Sequence, residues 1–192
     1  MAEVLLFHHA LGLTSGVLGF AEMLRRAGHS VHTPDLYDGR VFDDLRDGLA
    51  HVRTLGFAAI VERGQAAAEG LPHALVYAGF SLGVMPAQKL AQSRAGARGA
   101  LLFDACVSPA DLGGAWPAGV PVQIHGMDAD PSFVDEGDLA AARALVGSTP
   151  DAELFLYAGD KHLFADRSLP SYDAAAAALL TERAVGFLAR LG

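Results

Sequence analysis

Short apolar runs alternate with longer helical segments along this chain of 192 residues. Six runs have the length and composition of β-strands: Glu3–Phe7, Ser30–Thr33, His73–Ala78, Arg98–Phe103, Pro121–His125 and Glu153–Tyr157. The segments between and after them are predicted to be helical: Phe20–Ala27, Asp43–Glu69, Leu82–Arg94, Phe133–Val146 and Ser171–Leu191. Strands that alternate with crossover helices form a mainly parallel sheet with helices on both faces. The sequence therefore predicts a three-layer α/β fold.

Glycine positions and the hydrophobic content refine this picture. Gly28 is expected to end the first helix in a left-handed conformation, and Gly56 and Gly64 are expected to weaken the second, leaving one broken helix or two. Strands covered on both faces explain a hydrophobic fraction of 52%. No apolar run is long enough to suggest a membrane span. We expect one domain over residues 1–192, with no room for a large lid domain.

Charge and cysteine content narrow the range of partners. The formal net charge is −8, with acidic residues scattered along the chain. Nucleic acids and anionic membranes require a basic surface, so neither is an expected partner. A single cysteine, Cys106, and an amino terminus without the pattern of a signal peptide favour the cytoplasm. No cluster of residues suggests a metal or another cofactor.

A serine stands between two glycines in Gly79-Phe80-Ser81-Leu82-Gly83, where a predicted strand meets a predicted helix. In Gly-x-Ser-x-Gly turns, the glycines permit a tight bend that lifts the hydroxyl clear of the sheet. Ser81 is therefore a candidate nucleophile. A serine at this position could instead cap the helix that follows.

A serine hydroxyl needs a neighbouring base, and two histidines follow Ser81 in the chain. In this type of fold, the order is nucleophile, acid and then histidine. His125 precedes the acidic loop, which is the wrong order, whereas His162 follows the last predicted strand. His162 is thus the expected base, and the alternative is a solvated loop histidine.

The acid that orients the base is expected among the residues after the strand that ends at His125. Asp130 is the first candidate, Asp128 the second and Asp104, at the end of the preceding strand, the third. Any of the three could instead cap a turn or a helix.

Several short motifs occur in the order found in the dienelactone hydrolase family of α/β-hydrolases, which the chain resembles. They are Phe7–Leu13 after the first strand, Pro34-Asp35-Leu36-Tyr37, His162-Leu163-Phe164-Ala165, Ser171-Tyr172 and Thr181-Glu182-Arg183. The resemblance implies a triad of Ser81, Asp130 and His162, with the Asp130-Pro131 pair favouring Asp130 over Asp128. It also implies an oxyanion hole formed by the backbone amides of Ala10 and Leu82.

Three positions depart from the family pattern. Ser81 replaces the usual cysteine, and Cys106 lies off the elbow, as expected for a small buried apolar residue. His9 replaces the family's loop glutamate, and it could contact substrate or pack at the strand end. Asp166, followed by Arg167, stands where dienelactone-cleaving members place an arginine that pairs with the substrate carboxylate. Repulsion between two carboxylates argues against dienelactone as the substrate.

The expected activity is hydrolysis of a small-molecule ester, thioester or lactone through an acyl-enzyme. Two loops, Tyr37–Phe42 and Gly113–Pro117, are expected to contact the substrate, with Tyr37 and His9 as candidate binding residues. The alternative is a non-catalytic protein that keeps the hydrolase fold and binds small molecules. Both a monomer and a homodimer are compatible with the sequence.

Overall fold

A computed structural model describes all 192 residues of the chain. Its strands are β1 (Glu3–Phe7), β2 (Ser30–His32), β3 (Val76–Phe80), β4 (Gly99–Phe103), β5 (Val122–Met127) and β6 (Ala152–Tyr157). They form one sheet in the order β2-β1-β3-β4-β5-β6, and every neighbouring pair is parallel.

Seven α-helices accompany the sheet. They are α1 (Ser15–Arg26), α2 (Leu45–Leu55), α3 (Phe57–Ala67), α4 (Val84–Ser93), α5 (Pro131–Val134), α6 (Asp138–Ser148) and α7 (Ala174–Leu191). Two short 3-10 segments, Ser81–Gly83 and Pro109–Leu112, complete the regular structure. None of the helices combines the length and apolar character needed to cross a bilayer.

Alternating side chains of the strands divide the core into two layers, because successive residues of a strand point to opposite faces. Leu5 and Phe7 of β1 pack on one face with buried residues of α2, α3, α4, α5 and α6. Val4 and Leu6 pack on the other face with α1 and α7. The predicted three-layer α/β architecture, with a parallel sheet between two helical layers, is confirmed.

Several element boundaries differ from those expected. The third strand begins at Val76, three residues later than predicted, and continues to Phe80. The helix predicted over Phe133–Val146 is two helices, α5 and α6, separated by a turn in which Gly137 has a φ of 103°. The long helical segment divides at Gly56, whose φ is 88°, into α2 and α3.

Gly64 does not interrupt α3, although a break was expected there. A Cβ atom at this position would overlap the ring of Pro86 in α4. The absence of a side chain thus allows α3 and α4 to pack closely, which is a tertiary reason for the glycine.

The carboxyl ends of parallel strands lie along one edge of the sheet, where ligands bind in folds of this type. The loops after β1, β3, β4, β5 and β6 all begin at this edge. They carry Ala10, Ser81, Asp104, Asp130 and His162, respectively.

Candidate active site

Ser81 directly follows β3 and begins the 3-10 turn that leads into α4. Its φ of 46° is a left-handed conformation that residues other than glycine rarely adopt. Both flanking glycines are sterically required. A Cβ atom at Gly79 would overlap the carbonyl group of Gly83, and one at Gly83 would lie 2.6 Å from the carbonyl oxygens of Phe7 and His8. The segment is therefore a tight strand-to-helix turn that begins at the serine.

The side chains of Ser81, His162 and Asp130 form a continuous hydrogen-bonded chain. The distance from His162 Nε2 to Ser81 Oγ is 2.9 Å, and that from His162 Nδ1 to Asp130 Oδ2 is 2.7 Å. An ionised carboxylate can only accept, so Nδ1–H of the imidazole donates to Asp130. Nε2 of the neutral ring is then left to accept the hydroxyl proton of Ser81. This is the arrangement in which a histidine can act as a base toward a serine.

Asp130 joins the hydrogen-bonded chain of side chains to the start of α5. Its carboxylate is fully buried, and its Oδ1 accepts a hydrogen bond from the backbone N–H of Ser132, capping α5. Asp130 thus caps a helix with one oxygen and contacts His162 with the other. Pro131 at the first position of α5 has no N–H and therefore leaves no donor unsatisfied there.

The other two candidate acids make different contacts. Asp128 is exposed, and its Oδ1 accepts a hydrogen bond of 3.0 Å from the backbone N–H of Gly159. Asp104 is buried, but neither of its carboxyl oxygens has a hydrogen-bond partner in the protein. Of the three aspartates, Asp130 is the one hydrogen-bonded to His162.

Two opposing effects act on the pKa of His162. Burial lowers this pKa, but the hydrogen bond with Asp130 and the negative charges of Asp104, Asp130 and Asp138 outweigh it, so the net pKa is raised above 6.5. The surroundings therefore stabilise the imidazolium, the protonated form of the ring.

The loop after β1 packs against the serine turn. Gly83 lies against the carbonyl oxygens of Phe7 and His8, and Gly48 of α2 packs against the backbone of Ala10. The amide N–H of Ala10 donates to no acceptor in the protein. Leu82 follows Ser81 directly. The two amides expected to form an oxyanion hole thus lie in adjoining backbone segments, and that of Ala10 is unpaired.

Comparisons with known proteins identify the family of the chain. The model of the dienelactone hydrolase family matches residues 1–192. The chain belongs to the dienelactone hydrolase family. This membership confirms the resemblance seen in the sequence motifs and places the protein among the hydrolases. No curated protein matches the chain.

Solved structures of low sequence identity share the fold. A dienelactone hydrolase-like promiscuous phosphotriesterase from metagenomic libraries is 22% identical, with a TM-score of 0.80; the match covers 100% of this chain and 87% of that one. Esterase 2 of Thermogutta terrifontis, phosphonylated by cyclosarin, is 19% identical, with a TM-score of 0.71 and coverage of 100% and 83%.

Two of the positions that depart from the family pattern, His9 and Asp166, contact each other. His9 is fully buried, and its Nε2 lies 2.8 Å from Oδ2 of Asp166. Its Nδ1 accepts a hydrogen bond of 3.2 Å from the backbone N–H of Leu11. Both ring nitrogens of His9 are thus engaged within the protein. His9 thus packs at the end of β1, and a contact between His9 and substrate stays a prediction.

Asp166 also accepts hydrogen bonds from Thr14 Oγ1 and from the backbone N–H and hydroxyl of Ser168. Burial raises the pKa of Asp166, but the hydrogen bonds from His9, Ser168 and Thr14 outweigh this effect and lower the pKa to about 2. The carboxylate is 2% exposed. Asp166 is therefore turned into the protein, and its carboxylate accepts hydrogen bonds from groups of this chain.

This network joins two loops of the site. His9 and Leu11 flank Ala10 in the loop after β1, whereas Asp166 lies four residues after His162 in the loop after β6. No pattern in the sequence predicted this network. The contact between Asp166 and Ser168 has a local indication in the sequence, because an aspartate often accepts a hydrogen bond from the backbone two residues later. Nothing local connects Asp166 to His9, 157 residues away.

The second candidate binding residue, Tyr37, is also buried. Its ring packs edge-on against His8 and His51, at centroid distances of 4.7 and 4.9 Å, and its hydroxyl has no hydrogen-bond partner in the protein. Burial raises the pKa of the Tyr37 phenol. His8 Nε2 accepts a hydrogen bond from the backbone N–H of Leu36. This hydrogen bond joins the loop between β2 and α2 to the loop after β1.

Cys106 follows β4 and is 2% exposed. Burial, with the nearby charge of Asp138, raises the pKa of its thiol to about 12. A thiol of this kind is unreactive at neutral pH, which agrees with the expected packing role.

Proposed function

We propose that the protein hydrolyses carboxylic esters, thioesters or lactones through an acyl-enzyme on Ser81, with His162 as the base and Asp130 as the orienting acid. The observation that carries this proposal is the chain of hydrogen bonds from Asp130 through His162 to Ser81. A protein that only binds small molecules has no need for this arrangement.

Acylation begins with attack of Ser81 Oγ on the carbonyl carbon of the substrate. His162 Nε2 accepts the hydroxyl proton as the new C–O bond forms. Asp130, hydrogen-bonded to Nδ1, holds the ring in the required tautomer and stabilises the imidazolium. The oxyanion is held by the amides of Ala10 and Leu82, and donors of this kind contribute about a hundredfold to a thousandfold each in rate.

Collapse of the tetrahedral intermediate breaks the bond to the leaving group, which receives the proton from His162. Water then attacks the acyl-enzyme and gives its proton to His162 Nε2. A second collapse releases the carboxylic acid, and the proton returns to Ser81 Oγ. The cycle consumes one water and restores the starting protonation of the triad.

Structural neighbours of this chain suggest a probe for the nucleophile. Thermogutta terrifontis esterase 2 has been solved both phosphonylated by cyclosarin and phosphorylated by paraoxon. Serine nucleophiles attack such phosphorus centres as they attack carbonyl carbons. Reaction of this chain with paraoxon or a fluorophosphonate would identify the activated serine.

The first experiment compares the wild type with Ser81→Ala. The wild type is expected to be labelled by a fluorophosphonate probe on the peptide that contains Ser81, and to cleave members of a panel of p-nitrophenyl esters, thioesters and lactones. Ser81→Ala is expected to lose both. A folded wild-type protein that remains unlabelled and inactive would favour the binding protein instead.

The second experiment tests the acid. Asp130→Asn is expected to lower kcat by up to about ten-thousandfold, because the amide disrupts the orientation and charge stabilisation of His162. Asp128→Asn is the matched control, since Asn retains the oxygen that accepts from Gly159. If Asp130→Asn kept near-normal activity and Asp128→Asn lost most of its activity, the assignment of Asp130 as the acid would be wrong.

A further inference from the structure

Asp104 lies beside the serine turn without a role in the triad. It directly follows β4, the strand between β3, which ends before Ser81, and β5, which precedes Asp130. The register pairs Phe80 with Phe103, so Ser81 and Asp104 are the next residues on two neighbouring strands, which are about 5 Å apart. Both residues have a positive φ, 46° at Ser81 and 60° at Asp104.

The carboxyl group of Asp104 is held in an unfavourable setting. The residue is 1% exposed, and neither carboxyl oxygen has a hydrogen-bond partner in the protein. An unpaired carboxyl group in such a position opposes folding, and strained or unpaired groups occur preferentially at functional sites.

Charged and titratable groups surround Asp104 on several elements. Burial raises the pKa of Asp104 to about 7, His162 acts to lower it and Asp130 acts to raise it further. In return, the negative charge of Asp104 raises the pKa of His162, as do those of Asp130 and Asp138. It also raises the pKa of Tyr157 on β6.

His125 of β5 and Tyr157 of β6 connect to Asp104 through hydrogen bonds. The backbone N–H of Asp104 donates to the carbonyl of His125, whose ring Nδ1 lies 2.8 Å from the hydroxyl of Tyr157. Arg183 of α7 covers the rings of Phe155 and Tyr157.

We propose that Asp104 is a second acid of the site, a positioning residue whose negative charge acts with that of Asp130 to stabilise the imidazolium of His162. This inference rests on the proposed function of Ser81, His162 and Asp130. Asp130 acts through a hydrogen bond, whereas Asp104 acts through space. Its charge is effective because the interior screens charges less than water does.

Asp104→Asn is a suitable test because asparagine tolerates a positive φ, so the charge is removed with little change in the backbone. The pKa of the His162 imidazole is measured by NMR in the wild type, in Asp104→Asn and in Asp160→Asn. Asp160 is an exposed carboxylate two residues from His162 and serves as the matched control. We expect the pKa of His162 to fall by roughly half to one unit in Asp104→Asn and to stay unchanged in Asp160→Asn.

Kinetics and stability provide independent readouts. The acidic limb of the kcat/KM profile should move to lower pH with the pKa of His162, and adding Asp104→Asn to Asp130→Asn should lower kcat/KM by a further factor of about ten. Because the pKa of Asp104 is raised from 3.8 to about 7, its ionisation increasingly opposes folding across that range. Asp104→Asn should therefore show a higher urea midpoint than the wild type at pH 8.

An unchanged pKa of His162 in Asp104→Asn, in a protein whose Ser81 is labelled, would overturn the inference on Asp104 alone. An unlabelled Ser81 with a shifted pKa would overturn the proposed function and leave the interaction between Asp104 and His162 in place. A reduced urea midpoint with no pKa shift would show that Asp104 serves the fold only.

Discussion

Removal of the Asp166 carboxylate is expected to destabilise the protein by about 4 kcal/mol, because each buried donor left without a partner costs about 1 to 3 kcal/mol. Asp166→Ala leaves four donor groups without their acceptor. Two belong to Ser168, which is exposed and can bind water instead. The other two, on His9 and Thr14, are buried and account for the loss.

The measurement is urea unfolding followed by circular dichroism at pH 7, with the midpoint and slope compared between variants. Asp166→Asn keeps one oxygen that can accept from His9 and Thr14, so its loss should be smaller, about 1 to 2 kcal/mol. Asp111→Ala, at an exposed position, should stay within about 0.5 kcal/mol of the wild type. A loss below about 1 kcal/mol for Asp166→Ala would refute the reasoning.

The same carboxylate predicts a pH dependence of stability. A pKa lowered from 3.8 to about 2 favours the folded state by about 2 kcal/mol above pH 3.8. This contribution is lost as the pH falls through 3.8 toward 2. The difference in unfolding free energy between the wild type and Asp166→Ala should therefore shrink over that interval. A constant difference would show that the charge of Asp166 is not what stabilises the network.

Three further predictions concern other parts of the molecule. Because the pKa of His162 is raised above 6.5, kcat/KM should fall as the pH drops through that raised value; a flat profile from pH 5 to 8 would contradict His162 as the base. Gly79→Ala should cost more than about 3 kcal/mol in stability, since its Cβ would overlap the carbonyl of Gly83, whereas Gly186→Ala on α7 meets nothing within 4 Å and should stabilise by about 0.5 to 1 kcal/mol; equal urea midpoints would contradict the steric argument. Cys106 should resist iodoacetamide at pH 8 in the folded protein and react in urea, and rapid alkylation of the folded protein would show that the thiol is accessible.

Strands and helices could be predicted because their signals are local. An apolar run such as Glu3–Phe7 carries its own information, and β1 has the predicted bounds. Boundaries were less predictable where tertiary contacts decide them. The third strand continues through Gly79 and Phe80 because Gly79 allows the backbone of the serine turn to pack against it. The turn at Gly137 was missed, although Gly137 and the nearby Asp135 and Asp138 are weak helix formers.

In the candidate site, too, some features follow from local sequence and others from tertiary contacts. Ser81 and His162 could be placed by motif and by order, because the strand-to-helix turn and the chain order follow from the fold. The sequence could only rank Asp130 ahead of Asp128 and Asp104, since all three follow strands that end at the same edge of the sheet. Only the path of each loop brings the carboxylate of Asp130 to 2.7 Å from the imidazole, so that Asp130, and not Asp104 or Asp128, is hydrogen-bonded to it.

By itself, the sequence determined the alternation of strands and helices, the family and the glycine-flanked serine. Each of these depends on short motifs whose residues are neighbours along the chain. The tertiary structure decided which acid meets His162, that His9 and Asp166 pair across 157 residues, and that Asp104 is buried without a partner. These features depend on distances of a few ångströms between remote segments. Such distances are set by packing of the whole core, which no local pattern records.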